Sequence, residues 1–309
     1  MEIGLILGAG QLAATLRLAA PLTFAALGGV ISERSGVVNI ALEGIMLMGA
    51  FFAVWGTAVT GNAWAGLLIG IAAGVVLTAV HAYAAIHLRS DQIVSGMALN
   101  ILALGLTSFL NFQLYGFTGT PADLAGLPDV DLGPVRGIPY VGGVIDDQSV
   151  LVWLAVALVV GVHLVLFRTV AGMRLRAVGE HPRAADTLGI DVFKMRYAAV
   201  LASGVLAAIG GAYLSLEVSH SFTNNITSGR GFIGLAAMIF GNWTPVGAFI
   251  AALLFGFGDA LTFSLQGTGV PVQLLGTLPY LLTILAVGGL LARTRPPAAD
   301  GVPYETEGR

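Results

Sequence analysis

The feature that most constrains this chain is the length of its uncharged runs. Gly44–Val80, Ile93–Ala122, Val150–Phe167 (broken only by the polar His163), Ala198–Leu216, Gly231–Gly258 and Ala260–Ala292 contain no Asp, Glu, Lys or Arg. A helix needs about 20 such residues to cross a bilayer, so the longest runs hold two crossings. Only 10% of the 309 residues are charged, against about a quarter in soluble domains. The chain reads as a polytopic membrane protein.

The fold must then be helical, because backbone polar groups inside lipid have to be paired within the chain. Barrel strands would alternate apolar and polar residues over about ten positions, and the continuous apolar runs do not. The expected class is an all-α transmembrane bundle of eight to ten helices, with broken or re-entrant segments. The 43 glycines fit close helix approach in a membrane. Crossings are expected near Leu12–Ile31, Ala41–Thr60, Ala63–His87, Ile93–Phe112, Val150–Phe167, Tyr197–Leu216, Pro245–Leu265 and Gln273–Ala292, with a shorter helical piece around Gly231–Phe240. Turns are marked by Gly61-Asn62, by Ser90-Asp91 and by Gly267–Pro271.

Basic residues set the orientation. Arg168, Arg174, Arg176, Arg183, Lys194 and Arg196 gather in one connector, and Arg293 and Arg295 follow the last run, so both regions should be cytoplasmic. Gln113–Ser149 carries five aspartates against the single Arg136 and should face outward. Alternation then puts His87–Asp91 inside and Ser32–Ser35 near the inner side or buried at depth. The chain is expected to be one transmembrane domain over 1–309: a first half 11–167, a cytoplasmic loop 168–196, a second half 197–292 and a polar tail 293–309.

The composition also excludes function classes. No cysteine is present, so disulfides and thiolate metal sites are ruled out. A net charge of −3 offers no strongly basic face for nucleic acid. The five histidines form no metal-ligand spacing, and neither a phosphate loop nor a nucleophile elbow is present. The opening residues MEIGLILGAG lack Lys and Arg ahead of their apolar part, so no cleavable signal peptide is expected. Clustered catalytic groups are missing, and a membrane enzyme is disfavoured. An ion-driven transporter should carry a buried carboxylate pair, for which Glu43 and Asp259 are the few options.

Three constellations stand out. In SERSGVVNIALEGIMLMGAF (Ser32–Phe51), Asn39 and Glu43 lie four apart and share a helical face. Intramembrane ionisable residues are costly and usually face a bundle interior or a wet cavity. The segment therefore either lines a path or ties helix ends together at the interface, with Glu43 expected at or just inside the membrane edge. The second constellation, TSGRGFIGLAAMIFGNWTPVGA (Thr227–Ala248), is interrupted by glycines, Asn242 and Pro245. Transporters often interrupt helices at matching places in two halves, so an internal repeat and a re-entrant turn are both compatible. The third is a stripe of Asn100, Thr107 and Asn111 on one face of the fourth crossing, suited to hydrogen bonding a hydroxylated solute or a neighbouring helix. Asn39, Glu43, Asn100, Asn111 and Asn242 are the path candidates.

PLTFAALGGVISERSGVVNIALEGIMLMGAFFA and RLRAVGEHPRAADTLGIDVFKMRYAAVLASGVLAAIGGAYLSL closely resemble permease subunits of bacterial ABC importers. The group is that of branched-chain amino acid, ribose and simple-sugar permeases, and SERSGVVNIALEG resembles its nucleoside (or simple-sugar) branch most. The resemblance covers Leu12 to Ala292. It implies a chain in the inner membrane that is not itself an enzyme. The solute would be a nucleoside or simple sugar, with branched-chain amino acid or ribose import as the competing possibility. Implied partners are an ATP-binding cassette subunit holding ATP and Mg, a second permease subunit, homologous or identical, and an external substrate-binding lipoprotein. This chain would hold no cofactor or metal of its own.

The resemblance also implies a cytoplasmic coupling helix that rests in a cleft of the ATPase. Gly179, Glu180, His181, Pro182, Arg183, Ala184, Ala185, Asp186, Leu188 and Gly189 would supply it. The residues suit that role. Proline fits a first helical turn, glycine can end a helix in left-handed geometry, alanines permit close approach, and the charges can fix register.

Overall fold

The computed structural model describes residues 8–116, 124, 126–130, 133, 137–145, 148–266, 274, 277 and 294–305. Among them, seven helices are long and apolar enough to cross a membrane. They are α1 (Ala9–Glu33), α2 (Leu42–Thr60), α3 (Ala63–Ala82, prolonged by a π-helical turn Tyr83–His87), α4 (Gln92–Tyr115), α6 (Val150–Arg168), α9 (Val192–Tyr213, prolonged by a second π turn Leu214–Val218) and α11 (Pro245–Ser264). Between α4 and α6 lie a short antiparallel pair, β1 (Asp129–Val130) with β2 (Gln148–Ser149), and the single-turn α5 (Val141–Ile145). Outside the spans run α7 (Val170–Glu180) and α8 (Pro182–Thr187), and α10 (Arg230–Phe240) is a half-length helix. The protein is a polytopic helical bundle. The turn Gly267–Pro271 and all of the expected crossing Gln273–Ala292 except residues 274 and 277 fall outside the described residues.

Helix boundaries follow local chemistry. Gly61 ends α2 at φ +69°, and the next residue, Asn62, accepts from the amides of Trp64 and Ala65 to start α3. Asp91 caps α4 in the same way through Ile93 and Val94. These are two of the three turns expected from the sequence, and side-chain acceptors satisfy the orphan amides that helix starts leave.

α1, α2 and α9 form the centre, with 72%, 78% and 83% of their most apolar window buried, whereas α4 reaches only 28%. Where α2 crosses α9, two glycines allow backbone contact. A Cβ at Gly211 would lie 1.8 Å from the Met46 carbonyl oxygen, and one at Gly49 would lie 2.4 Å from that of Ala208. α3, α4 and α6 present large apolar side chains outward, among them Leu68, Val76, Ile101 and Val160. This is the surface that a bilayer accepts. Arg17, inside the first apolar run, has its Nε 3.3 Å from Oε1 of Gln148 on β2.

The segments expected inside converge at one end. The tail 294–305 lies against the Arg168–Arg196 connector, with Ala299 N donating to Gly179 O at 2.9 Å. Arg89, after α3, pairs with Glu305 of the same tail at 2.7 Å. The positive connectors thus share a single face.

Glu43 lies within the bundle, 8% exposed. After α1 ends, residues 34–41 turn back into the bundle, so α2 begins well inside it. The Gly44 amide donates to Oδ1 of Asn100 at 2.7 Å. Asn100 stands eight residues along α4, about 12 Å from its inner end at 1.5 Å per residue.

Candidate functional site

The two interrupted segments picked out in the sequence pack against each other at both ends. At the inner-half level, α2 and α10 meet by their first turns. Oε1 of Glu43 accepts from Thr227 Oγ1 at 2.6 Å and from Gly229 N at 2.8 Å, and its Oε2 accepts from Gly231 N at 2.7 Å. A carboxylate at a helix start satisfies unpaired amides and opposes the positive end of the helix dipole. Gly231 is required by proximity, since a Cβ there would sit 2.5 Å from Glu43 Cα.

At the cytoplasmic end, α1 holds the turn that follows α10. Trp243 Nε1 donates to Oε2 of Glu33 at 2.5 Å, and Arg34 donates to the carbonyls of Trp243 (2.8 Å) and Asn242 (3.4 Å). Asn242 and Trp243 are both left-handed, at φ +53° and +52°. Such values are uncommon for bulky residues, and here Arg34 bonds both carbonyls. α10 is therefore fastened at its two ends to the two sides of the break between α1 and α2.

The five path candidates are not brought to one place. Asn39 is buried and donates to Ser203 Oγ at 3.0 Å. Asn100 spends both ends of its amide on the break, accepting from Gly44 and donating to Ile40 O at 2.9 Å. Asn111, further out on α4, donates to Oδ1 of Asn224 at 3.2 Å. Asn242 is at the cytoplasmic end, where its Oδ1 accepts from Arg295 N at 2.9 Å. Glu43, Asn39 and Asn100 all brace the start of α2.

The connector 168–196 is more ordered than its sequence suggested. Thr169 caps α7, which the sequence reading did not foresee, and Arg176 of that helix lies over the Phe167 ring at 4.9 Å. His181 then breaks the helix, Pro182 opens α8, and Gly189 follows it at φ +79°. Ala185 is buried beneath α8, while His181, Arg183 and Ala184 face outward. Leu188 is 81% exposed.

The tail was the element missed. Its residues straddle α7 and α8: Ala298 N donates to Oε2 of Glu180 at 3.2 Å, and Tyr304 Oη donates to Oδ2 of Asp186 at 2.8 Å. Arg196 Nη1 holds the Val302 carbonyl at 3.0 Å, and its Nε reaches Ser35 O at 3.2 Å. Asp300 is pushed up to about 6 by burial. The only sequence signal was the polar, proline-containing composition that reads as a free terminus. A cavity of about 1110 Å³ opens beside α8, lined in part by His87, Asp186, Phe193, Lys194, Tyr197 and Tyr304.

Among the described residues no cluster of three or more His, Asp or Glu could hold a metal ion. What the architecture can do is mechanical. Half-length and broken helices inside a membrane bundle, tied to a rigid cytoplasmic projection, define a transport subunit. The comparisons agree. The family described as branched-chain amino acid transport system / permease component matches residues 11–287, and the chain belongs to it. It is 44% identical to the guanosine ABC transporter permease protein NupQ of Bacillus subtilis, over 94% of this chain and 95% of that one. It is 41% identical to the nucleoside ABC transporter permease protein NupC of Lactococcus lactis, over 92% and 93%. It is 38% identical to a putative glucose ABC transporter permease protein, TsgC13, of Haloferax volcanii, over 93% of each. The chain is a multi-pass inner-membrane permease subunit of an ABC transporter, not an enzyme, and it works with an ATPase and other components of such a system.

Proposed function

We propose that the chain forms one half of a nucleoside import path, driven by an ATPase subunit that docks on α8 and the adjoining tail. The supporting observation is the cytoplasmic projection. Leu188, 81% exposed, directly follows α8, whose Arg183 and Ala184 are exposed and whose Asp186 accepts from Tyr304 of the tail; Glu180 of α7 holds the same tail through Ala298. An apolar knob ringed by charge on a rigid support suits a protein cleft better than water. Gly179, His181, Pro182 and Gly189 set the knob's angle, and Ala185 anchors it to the bundle.

In this reading the ATPase binds ATP and Mg and supplies all the chemistry. A second permease subunit, homologous or identical, completes the path, and an external substrate-binding lipoprotein delivers the solute. The names of the two relatives above 40% identity support a nucleoside as cargo, and the third supports a simple sugar as the second reading. Reconstitution with the ATPase, second permease and binding protein decides between them. ATP-dependent accumulation of labelled guanosine supports the first reading; accumulation of glucose without guanosine replaces it with the second. Accumulation of either without any ATPase would remove the proposal.

A further inference from the structure

Residues 219–229 leave α9 at the outer end and return toward the middle of the bundle before α10 begins. Their backbone is irregular: it runs in turns closed by Ile226 N to Thr223 O (3.1 Å) and Ser228 N to Asn225 O (2.9 Å), with positive φ at His220, Asn225, Ser228 and Gly229. Its depth is set by two bonds. Asn224 meets Asn111 near the outer end of α4, and Thr227 meets Glu43, which adjoins the Asn100 level. The loop therefore descends through the membrane-spanning part of the protein.

Thr223, Asn224, Asn225 and Ser228 are nevertheless exposed, and Phe232, at the start of α10, is 39% exposed. Irregular, polar backbone at membrane depth is tolerated only where it is buried in protein or lines a water-filled cavity. The lipid-compatible surface of this chain looks different, since the exposed positions Leu68, Val76, Ile101 and Val160 are apolar. One further group points the same way. Oδ1 of Asn111 is buried with no partner, and Asn111 is only 7% exposed, so this acceptor stands ready beside the loop.

We infer that the re-entrant loop Thr223–Ser228, with Asn111 and Phe232, lines the solute path and contacts the solute directly. The chemistry is uncharged: amides and hydroxyls that pair with sugar hydroxyls and base edges, and one aromatic face for stacking. Arg230, which directly follows the loop, is turned back so that Nη1 lies 3.5 Å from the carbonyls of both Ile226 and Thr227. Glu43 already accepts from three donors. The lining suits a neutral hydroxylated heteroaromatic solute, since Thr223–Ser228, Asn111 and Phe232 carry no charge. The ligand class rests on the nucleoside reading above; the position of the path does not.

The chain contains no cysteine, which makes accessibility directly measurable. Asn225→Cys, Ser228→Cys and, as a membrane-facing control on α3, Val76→Cys are each made in the otherwise unaltered transporter, assembled in nanodiscs. Each is treated with a water-soluble, membrane-impermeant thiosulfonate. Cysteines at 225 and 228 should react at least about tenfold faster than at 76, and guanosine delivered by the binding protein should slow them while glucose does not. Equal, slow reaction at all three positions, in variants that still transport, would mean that the loop is sealed against a neighbouring subunit, and would overturn the inference. Fast reaction that neither solute slows would overturn direct contact with the solute. ATP-driven guanosine uptake by the unaltered complex is followed in parallel. Its loss would strike the nucleoside reading, while the reactivity ratio would still locate the path.

Discussion

Oε2 of Glu43 on α2 accepts from the amide of Gly231 on α10 at 2.7 Å, so a single carboxylate joins the starts of two helices that are far apart in the chain. With Thr227 and Gly229 on its other oxygen, it fills the gap left where both helices begin inside the membrane. α10 cannot move relative to α2 without breaking these bonds.

Glu43→Gln tests that latch. A glutamine keeps the size but turns two N–H donors toward groups that also donate. Hydrogen bonds to a charged group contribute roughly 1.5–3 kcal/mol each, and leaving buried donors unpaired costs more. The expected result is a loss of about 2–5 kcal/mol in the stability of the complex and at least a tenfold fall in solute uptake at equal expression. Uptake equal to the parent's would show that the carboxylate carries neither role.

Tyr304→Phe removes one hydroxyl from the back of α8. The expected effect lies in coupling rather than folding. ATPase activity of the assembled transporter should persist while solute moved per ATP falls severalfold. Removing residues 294–309 should do the same more strongly. If the transport-to-hydrolysis ratio is unchanged in both variants, the tail is only a cover.

Docking of the tail should depend on pH, and the sign follows from Asp300. Burial raises its folded-state value from 3.8 to about 6, with Glu33 beside it and Arg196 on α9 partly opposing the shift. A raised acid binds its proton more tightly in the docked state, so docking is strongest at low pH and weakens as pH climbs through about 4 to 6. Protease cleavage of the tail should rise as pH climbs through about 4 to 6 and be level by pH 7.5. Asp300→Asn should flatten that profile and leave the tail more protected at pH 7.5. A profile identical to the parent's would show that another group governs docking.

Gly211→Val should prevent assembly of the bundle. The first added carbon alone would lie 1.8 Å from the Met46 carbonyl oxygen, and a backbone cannot yield as a side-chain end can. Gly105→Ala on α4, where an added carbon would meet nothing within 4 Å, is the matched control. Yield of monodisperse protein from membranes distinguishes them; similar yields would mean that α2 and α9 separate readily.

Much of this architecture could be read from the chain alone, because a bilayer tests sequence locally. Runs such as Val150–Phe167 can only be helices that cross it, the pairs Gly61-Asn62 and Ser90-Asp91 mark turns between helices, and the arginines of 168–196 fix which side is inner. Each judgement uses neighbours in sequence. Pro182 and Gly189 bracket α8 by the same local logic. The depth of Glu43 was not legible, since it depends on how far residues 34–41 turn back, and packing of the break against Asn100 decides that. Nor could sequence show that Asn100 and Asn39 brace the start of α2, or that a polar tail grips Asp186. Those facts depend on partners 56, 164 and 118 positions away. Hydropathy and capping act over one turn, while the pairing of buried polar groups is settled only when the helices meet.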